Sequence, residues 1–327
     1  MRLGILGAWH THAEGIVHQI AARPDEFTLI GCYDADPLVR QRREAWRQTI
    51  PDLQVFDNAE QLLSQPLDGI VVEGRVSENL ALARSAIEAG LPVLLEKPAG
   101  VNLDDFRSLA ERASEKGLHL QMAYLFRYMS AVMELVRRAK SGELGRIYEF
   151  RARLPKDVAL YEDYVRDYAH YPGGIFFEMA GHLVDMMVTV LGTPKSVTPF
   201  LGRHAAAPRE FVDNGMAVFE YEHAWGILEV PALEAANDCR RIEVFGTQGA
   251  CVIPHLGSGH LSNAPTQPID VFHADTLWER LDLPAATLQI SDLRELAACA
   301  AGDKTADYSI DHDLVVQQTL LKACDAI

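Results

Sequence analysis

Over the first 120 residues, short apolar runs alternate with stretches of helical periodicity, the signature of stacked βαβ units around a parallel sheet. Strands are expected at RLGILG (2–7), TLIGCYD (28–34), GIVVEG (69–74), PVLLEK (92–97) and LHLQMAY (118–124). Between them, Leu80, Ala83 and Ile87 share a helical face behind an N-cap read at Ser77, with Gly90 following as the stop. Asn102 reads as the cap of the next helix, with Asp104 and Asp105 in its first turn, where negative charge suits the dipole, and Gly117 at its end.

After about residue 125 the pattern changes to a helix near 129–140, then longer alternating strands, and helices again at the end. RIYEFRARL (146–154) alternates; MAVFEYEHAWGILEV (216–230) reads as a hairpin turning at His223 to Trp225, and RRIEVFGTQGACVIP (240–254) as one turning at Gly246 to Gly249. Residues 255–268, rich in Gly, Ser, Asn and Pro, read as a loop. The expected architecture is α/β: a doubly wound Rossmann domain over 1–122, then an α/β domain with a large, mostly antiparallel sheet over 123–327.

Length agrees, since 327 residues suit about two domains. The formal charge of −16 repels a phosphate backbone or an anionic bilayer, so neither a nucleic acid nor a membrane is an expected partner. No apolar run reaches the ~18 to 20 residues of a membrane span, and MRLGILGAWHTHAEG lacks a sustained apolar leader. The expected location is the cytoplasm. Five scattered cysteines, odd in number and without a C-x-x-C pair, argue against a disulfide framework and a thiolate zinc site; they read as buried apolar side chains.

The candidate chemistry lies at three places. The first turn, Gly7-Ala8-Trp9-His10-Thr11-His12, has the context of a dinucleotide fingerprint but keeps only Gly7 of G-x-G-x-x-G. Asp34, 22 residues beyond His12, stands near the offset of the acid that binds ribose hydroxyls, which favours NAD over NADP; a turn residue in YDADP explains it equally well. His10 and His12 form an i,i+2 pair, but a helix start does not aim such residues at one point. They read as surface or loop histidines, and no metal is expected. Lys97 ends the strand of LLEKPAG on the side where ligands of such sheets bind, held extended by Pro98; a solvated strand-end lysine is the plainer reading.

The strongest cluster is PGGIFFEMAGHLVDMMVTVLG (172–192), where Glu178, His182 and Asp185 at i, i+4 and i+7 share one face of an apolar helix. Such groups are buried with partners or line a site. A metal site lacking an obvious further ligand, acid/base work by His182 oriented by Glu178 or Asp185, and a buried histidine satisfied by an acid all remain open.

Together these segments resemble the Gfo/Idh/MocA oxidoreductases. The resemblance is carried by the first turn, YDAD, ALARSAIEAGLPVLLEKPAG with its E-K-P, SGELGRIYEF, the G-G…E…H…D segment at 173–185, VFGTQGA and DYSIDHDLVVQQTLLKACDA. Trp9 and His12 stand where the family has small residues, Glu178 replaces Asp, and Asn79 stands where many members carry His. The resemblance implies NAD as cofactor, with NADP less favoured, near Gly7, Ala8, Trp9, His10, Asp34, Glu96 and Lys97. It implies a sugar, cyclitol or polyol substrate near Arg127, His170 and Asp185, with Arg166 a further candidate, and hydride transfer served by Lys97, His182 and Glu178. It also implies a homo-oligomer, dimer or tetramer, formed through an open sheet face. A silent NAD-binding regulator and NAD-assisted glycoside cleavage are the alternatives.

Overall fold

The computed structural model describes residues 1–157, 162–204, 210–234, 239–256, 264–273 and 276–327. It divides into one unit of Met1–Ala123 with Thr287–Leu314, and a second of Tyr124–Ala286 with Val315–Ile327.

The first unit holds β1 (Arg2–Leu6), α1 (His12–Ala21), β2 (Thr28–Tyr33), α2 (Pro37–Arg43), β3 (Gln54–Val55), α3 (Ala59–Leu63), β4 (Gly69–Val72), α4 (Val76–Glu88), β5 (Val93–Leu95), α5 (Leu103–Glu115) and β6 (Leu120–Met122). Its strands pair in parallel in the order β3-β2-β1-β4-β5-β6. That order reverses direction between β1 and β4, and the crevice beyond their carboxyl ends is where doubly wound sheets bind ligands. Helices cover both faces of such a sheet, so β4 and β5 are apolar throughout and fully buried. On one face, Ile16, Val17 and Ile20 of α1 join Leu3, Ile5, Val71 and Leu94 in one core.

α4 starts at Val76 with Arg75 at its N-cap, so Ser77 is a first-turn residue rather than the cap. Asn102 does cap α5, its side chain accepting from the backbone N–H groups of Asp104 and Asp105.

The second unit holds α6 (Ser130–Ser141), β7 (Ile147–Arg153), α7 (Glu162–Tyr168), α8 (Ile175–Leu191), β8 (Ser196–Gly202), β9 (Asn214–Glu220), β10 (Trp225–Pro231), β11 (Arg241–Gly246), β12 (Gly249–Ile253), β13 (Thr266–His273) and β14 (Thr276–Pro284). One sheet orders them β14-β13-β12-β11-β7-β10-β9-β8, antiparallel except for β7 with β10. Both expected hairpins form, as β9–β10 and β11–β12. The loop read over 255–268 ends earlier, because Thr266, Gln267 and Pro268 already pair with β14; residues 257–263 lie outside the described residues. Alternate residues of β9 and β10 are buried, as expected of a sheet with one face covered.

α8 lies on that covered face, and its residues from Ile175 to Val188 are all buried. Its start depends on two glycines. Gly173 and Gly174 take φ of +78° and +49°, and a Cβ on Gly174 would fall 2.6 Å from the Val212 carbonyl oxygen.

α9 (Leu288–Ala301) packs on α1 and β5 in the first unit, placing Ile290, Leu293 and Leu296 in that unit's core. Arg294 adds an ion pair to Glu26, and Gln289 abuts Gly15. The expected continuous division into 1–122 and 123–327 therefore misses the return of residues 287–314, and the boundary falls again inside α10 (Ile310–Ala323). An apolar face does not declare which core it will join. Three cysteines are buried, but Cys239 is exposed and Cys299 half-buried, contrary to the uniform reading as buried side chains. Among the described residues no helix is long and apolar enough to cross a membrane.

Candidate active site

At the switch point of the first unit, Gly7 follows β1 with φ +69°, and a Cβ there would fall 2.5 Å from the Gly74 Cα. Only a glycine lets the turn after β1 approach the turn after β4 this closely. The His10 N–H donates to the Glu73 carbonyl at 2.8 Å, joining the same two turns. Asp34, beyond β2, is buried; one oxygen accepts from Ala8 N–H at 2.7 Å and the other from Asp36 N–H at 2.9 Å. Its carboxylate thus holds the first turn in place. Trp9 is half-buried with the Arg75 guanidinium 4.6 Å from its ring centroid, and Arg43 donates to the Ala8 carbonyl at 2.7 Å.

Beneath this turn lies a buried charged cluster. His10 is 1% exposed, with Nδ1 3.4 Å from Glu73 Oε2 and Nε2 3.7 Å from Glu96 Oε1. His12 Nδ1 is 3.1 Å from Glu96 Oε2, and the two imidazoles meet edge to face at 4.3 Å. Lys97, also 1% exposed, places Nζ 3.7 Å from Glu96 Oε1, and the Lys97–Pro98 peptide is cis. Burial, reinforced by the charge of Glu96, pushes the Glu73 carboxyl well above the usual range. Burial also acts to raise Glu96, but the electrostatic attraction of His10, His12 and Lys97 and the His12 hydrogen bond prevail and hold it below the usual carboxylate range.

In the second unit, α8 presents Glu178, His182 and Asp185, all buried. The Tyr164 hydroxyl of α7 donates to Glu178 Oε1 at 2.9 Å, and Lys156 Nζ stands 3.8 Å from the same oxygen. The His182 ring stacks on Phe126 at 4.6 Å and meets Tyr124 edge-on at 6.0 Å. Arg127 donates from Nε and Nη2 to the two oxygens of Asp185, at 3.0 and 2.7 Å. Phe126 and Arg127 belong to one short 3-10 turn, Leu125–Tyr128, so the residue that stacks on His182 is anchored by the residue beside it.

Residues 1–124 match the model of the oxidoreductase family with an NAD-binding Rossmann fold, and residues 132–252 match the GFO/IDH/MocA C-terminal domain. The chain belongs to the Gfo/Idh/MocA family of oxidoreductases. Among Gfo/Idh/MocA relatives, it is 27% identical over 254 residues to the uncharacterised oxidoreductase YdgJ of Escherichia coli, spanning 77% of this chain and 70% of that protein. It is 23% identical to scyllo-inositol 2-dehydrogenase (NAD(+)) of Bacillus subtilis, over 80% of this chain and 74% of that one. The solved UDP-N-acetylglucosamine 3-dehydrogenase GnnA of Acidithiobacillus ferrooxidans shares the fold with a TM-score of 0.81 at 18% identity, covering 100% of this chain and 97% of that chain.

Against that Gfo/Idh/MocA frame, the residues read from the sequence fall into separate groups. Gly7, Ala8, Trp9, His10, Asp34, Glu96 and Lys97 gather around the crevice of the first unit. His10 is no surface histidine: the turn runs back under Gly74 and carries both imidazoles to the acids at the ends of β4 and β5. Arg127 and Asp185, read as substrate contacts, are paired with each other inside the second unit. His170 and Arg166 are exposed beyond the buried groups of α8. Sequence reading passed over Glu73, Lys156 and Phe126, and took Tyr164 only as one of several tyrosines in YVRDYAHYPGG that would suit a sugar. Of the three, Glu73 carried a signal, an acid closing the otherwise apolar strand GIVVEG; Lys156 and Phe126 are common residue types in segments without periodicity.

Proposed function

We propose that this chain transfers a hydride between NAD and a hydroxyl carbon of a sugar, cyclitol or related small polyol. The observation that carries the reading is Lys97, a buried lysine at the ligand end of a parallel sheet with dinucleotide-binding strand order. The first turn fits the cofactor at Gly7, where any side chain would fill the gap to Gly74, and Ala8 and Trp9 beside it would hold the pyrophosphate when NAD is bound. The carboxylate of Asp34 beyond β2 disfavours the extra phosphate of NADP. NAD, when bound, supplies the hydride acceptor.

The chain's own groups handle the proton and the charge. Lys97 donates a hydrogen bond to the reacting oxygen and stabilises negative charge developing there. His182 takes the hydroxyl proton, and returns it in the reverse direction. Glu178, steadied by Tyr164 and Lys156, orients the substrate's neighbouring hydroxyl. Arg127 and Asp185 are positioning residues, because their pair fixes the turn whose Phe126 stacks on His182.

Homo-oligomer formation is part of the same reading. Phe200 and Trp225 are 52% and 57% exposed on the sheet, and Phe200 aligns with Met216 and Glu229 in the open-face register opposite α8. Two copies meeting through this face would cover the aromatic surface, and light scattering on the purified protein measures the assembly directly.

The deciding experiment supplies a panel of inositols, aldoses and sugar acids with NAD or NADP and follows absorbance of the reduced nicotinamide. Turnover with NAD on at least one polyol is expected. Tight NAD binding with no turnover across the panel would overturn the dehydrogenase reading and leave a silent binder in its place.

A further inference from the structure

Four side chains with metal-ligand chemistry meet at the carboxyl ends of β1, β4 and β5, and hydride transfer does not use them together. We propose that His10, His12, Glu73 and Glu96 bind one divalent transition cation of the zinc class. One ligand atom from each residue lies within 4.8 Å of every other. Zinc bonds to imidazole nitrogen and carboxylate oxygen are ~2.0 to 2.2 Å long, which sets tetrahedral ligands roughly 3.3 Å apart. The separations of 3.1 Å between His12 Nδ1 and Glu96 Oε2 and 3.4 Å between His10 Nδ1 and Glu73 Oε2 already match that spacing. The other ligand atoms lie within 4.8 Å, so completing the shell requires the side chains to rotate inward.

A second observation points to a cation independently of the clustering. Glu73 has no solvent exposure, and neither of its oxygens meets a hydrogen-bond donor among the described residues. Buried carboxylates otherwise pair with donors, cations or metals. Glu96 Oε1 likewise has no hydrogen bond, with Lys97 Nζ at 3.7 Å. Two buried carboxylates faced by two imidazoles and one lysine form a donor set that a cation completes.

The donor set selects the class of ion. Two imidazoles with two carboxylates suit zinc and its first-row neighbours, whereas magnesium and calcium favour all-oxygen shells. Four protein ligands close a tetrahedral site without an open position, the arrangement of a structural metal rather than one that activates water. Here it would tie the first turn to two strand ends. The His12 side chain, 27% exposed, gives the ion a path in from solvent. None of this rests on the dinucleotide reading, and its test contains no dinucleotide.

The full chain is stripped with a chelator, and Zn²⁺ is then titrated against a chromophoric competitor; Co²⁺ serves as a spectroscopic substitute. One ion per chain is expected, with visible d–d bands of a tetrahedral site for Co²⁺ and a higher melting temperature on Zn²⁺ loading. His12→Ala and Glu73→Gln should each weaken binding by more than about a hundredfold, beyond the loss typical of outer-shell partners, while His18→Ala, at an exposed helix position, leaves it unchanged. Should Glu73→Gln fail to fold, His12→Ala decides alone, since that side chain is partly solvated. Wild-type binding no tighter than that of His12→Ala, a full Co²⁺ spectrum in that variant, or preference for Mg²⁺ over Zn²⁺ would overturn the site.

Discussion

Arg127 and Asp185 face each other as a two-pronged ion pair, Nε to Oδ2 at 3.0 Å and Nη2 to Oδ1 at 2.7 Å, both side chains 2% exposed. The pair spans 58 residues of sequence and joins the turn carrying Phe126 to the helix carrying His182. Removing one partner takes from the other, still buried, the charge it is bonded to at two points. Asp185→Ala should therefore lower stability by about 3 to 5 kcal/mol, read from denaturant midpoints. Replacing both residues by leucine should recover much of that loss; equal instability of the single and double variants would show that packing, not charge, sets the effect.

Lys97 and His182 act on the proton and charge of the reacting oxygen in the proposed reaction. Lys97→Met and His182→Ala should each reduce kcat about 10²- to 10⁴-fold, the usual contribution of a positioned acid or base. NAD binding by calorimetry should survive in His182→Ala. A variant that keeps wild-type kcat removes its residue from the mechanism.

Gly7 carries the close approach of two turns. Gly7→Ala introduces both a strained positive φ and a Cβ 2.5 Å from the Gly74 Cα, so a loss of about 1 to 3 kcal/mol or more is expected. NAD affinity should fall with it. Gly90→Ala provides the comparison, because its φ is +85° with no atom within 4 Å of the added carbon; it should show the strain without the clash.

Acid stability follows from carboxylates held low by arginines. Hydrogen bonds from Arg2 hold Asp68 at about 2, and those from Arg137 and Arg138 hold Glu134 at about 2 against the opposing effect of burial. A folded-state value below the unfolded one adds stability that is fully present above the unfolded carboxylate range and is lost as pH falls through the folded value. The melting temperature should accordingly decline between about pH 5 and pH 2. Arg2→Gln and Arg137→Gln should flatten that decline, and added salt should reduce it, most for the exposed Arg2–Asp68 pair. An unchanged profile in the double variant would dissociate the pairs from acid unfolding.

The legible parts of the chain were those governed by local rules. Apolar runs marked β1, β2, β4, β5 and β6, and the spacing of Glu178, His182 and Asp185 placed them on one helical face. β3 escaped notice because two residues, Gln54 and Val55, carry no period, and β8, β13 and β14 were given no place, the start of β13 falling in the segment read as a loop. His10 was misjudged for a different reason. Its burial comes from the backbone path of the first turn beneath Gly74 and from acids 63 and 86 positions further on, and no window of sequence contains all three.

Periodicity and turn chemistry act between neighbours, so the order of residues alone determined the two fold types, the helix that carries His182, and the strand end that carries Lys97. Tertiary structure decided which polar groups face one another. It paired Arg127 with Asp185, gave Glu178 to Tyr164, returned residues 287–314 to the first core, and gathered two histidines with two glutamates. Those choices depend on distances between elements remote in sequence, and burial then fixes which charges must find partners.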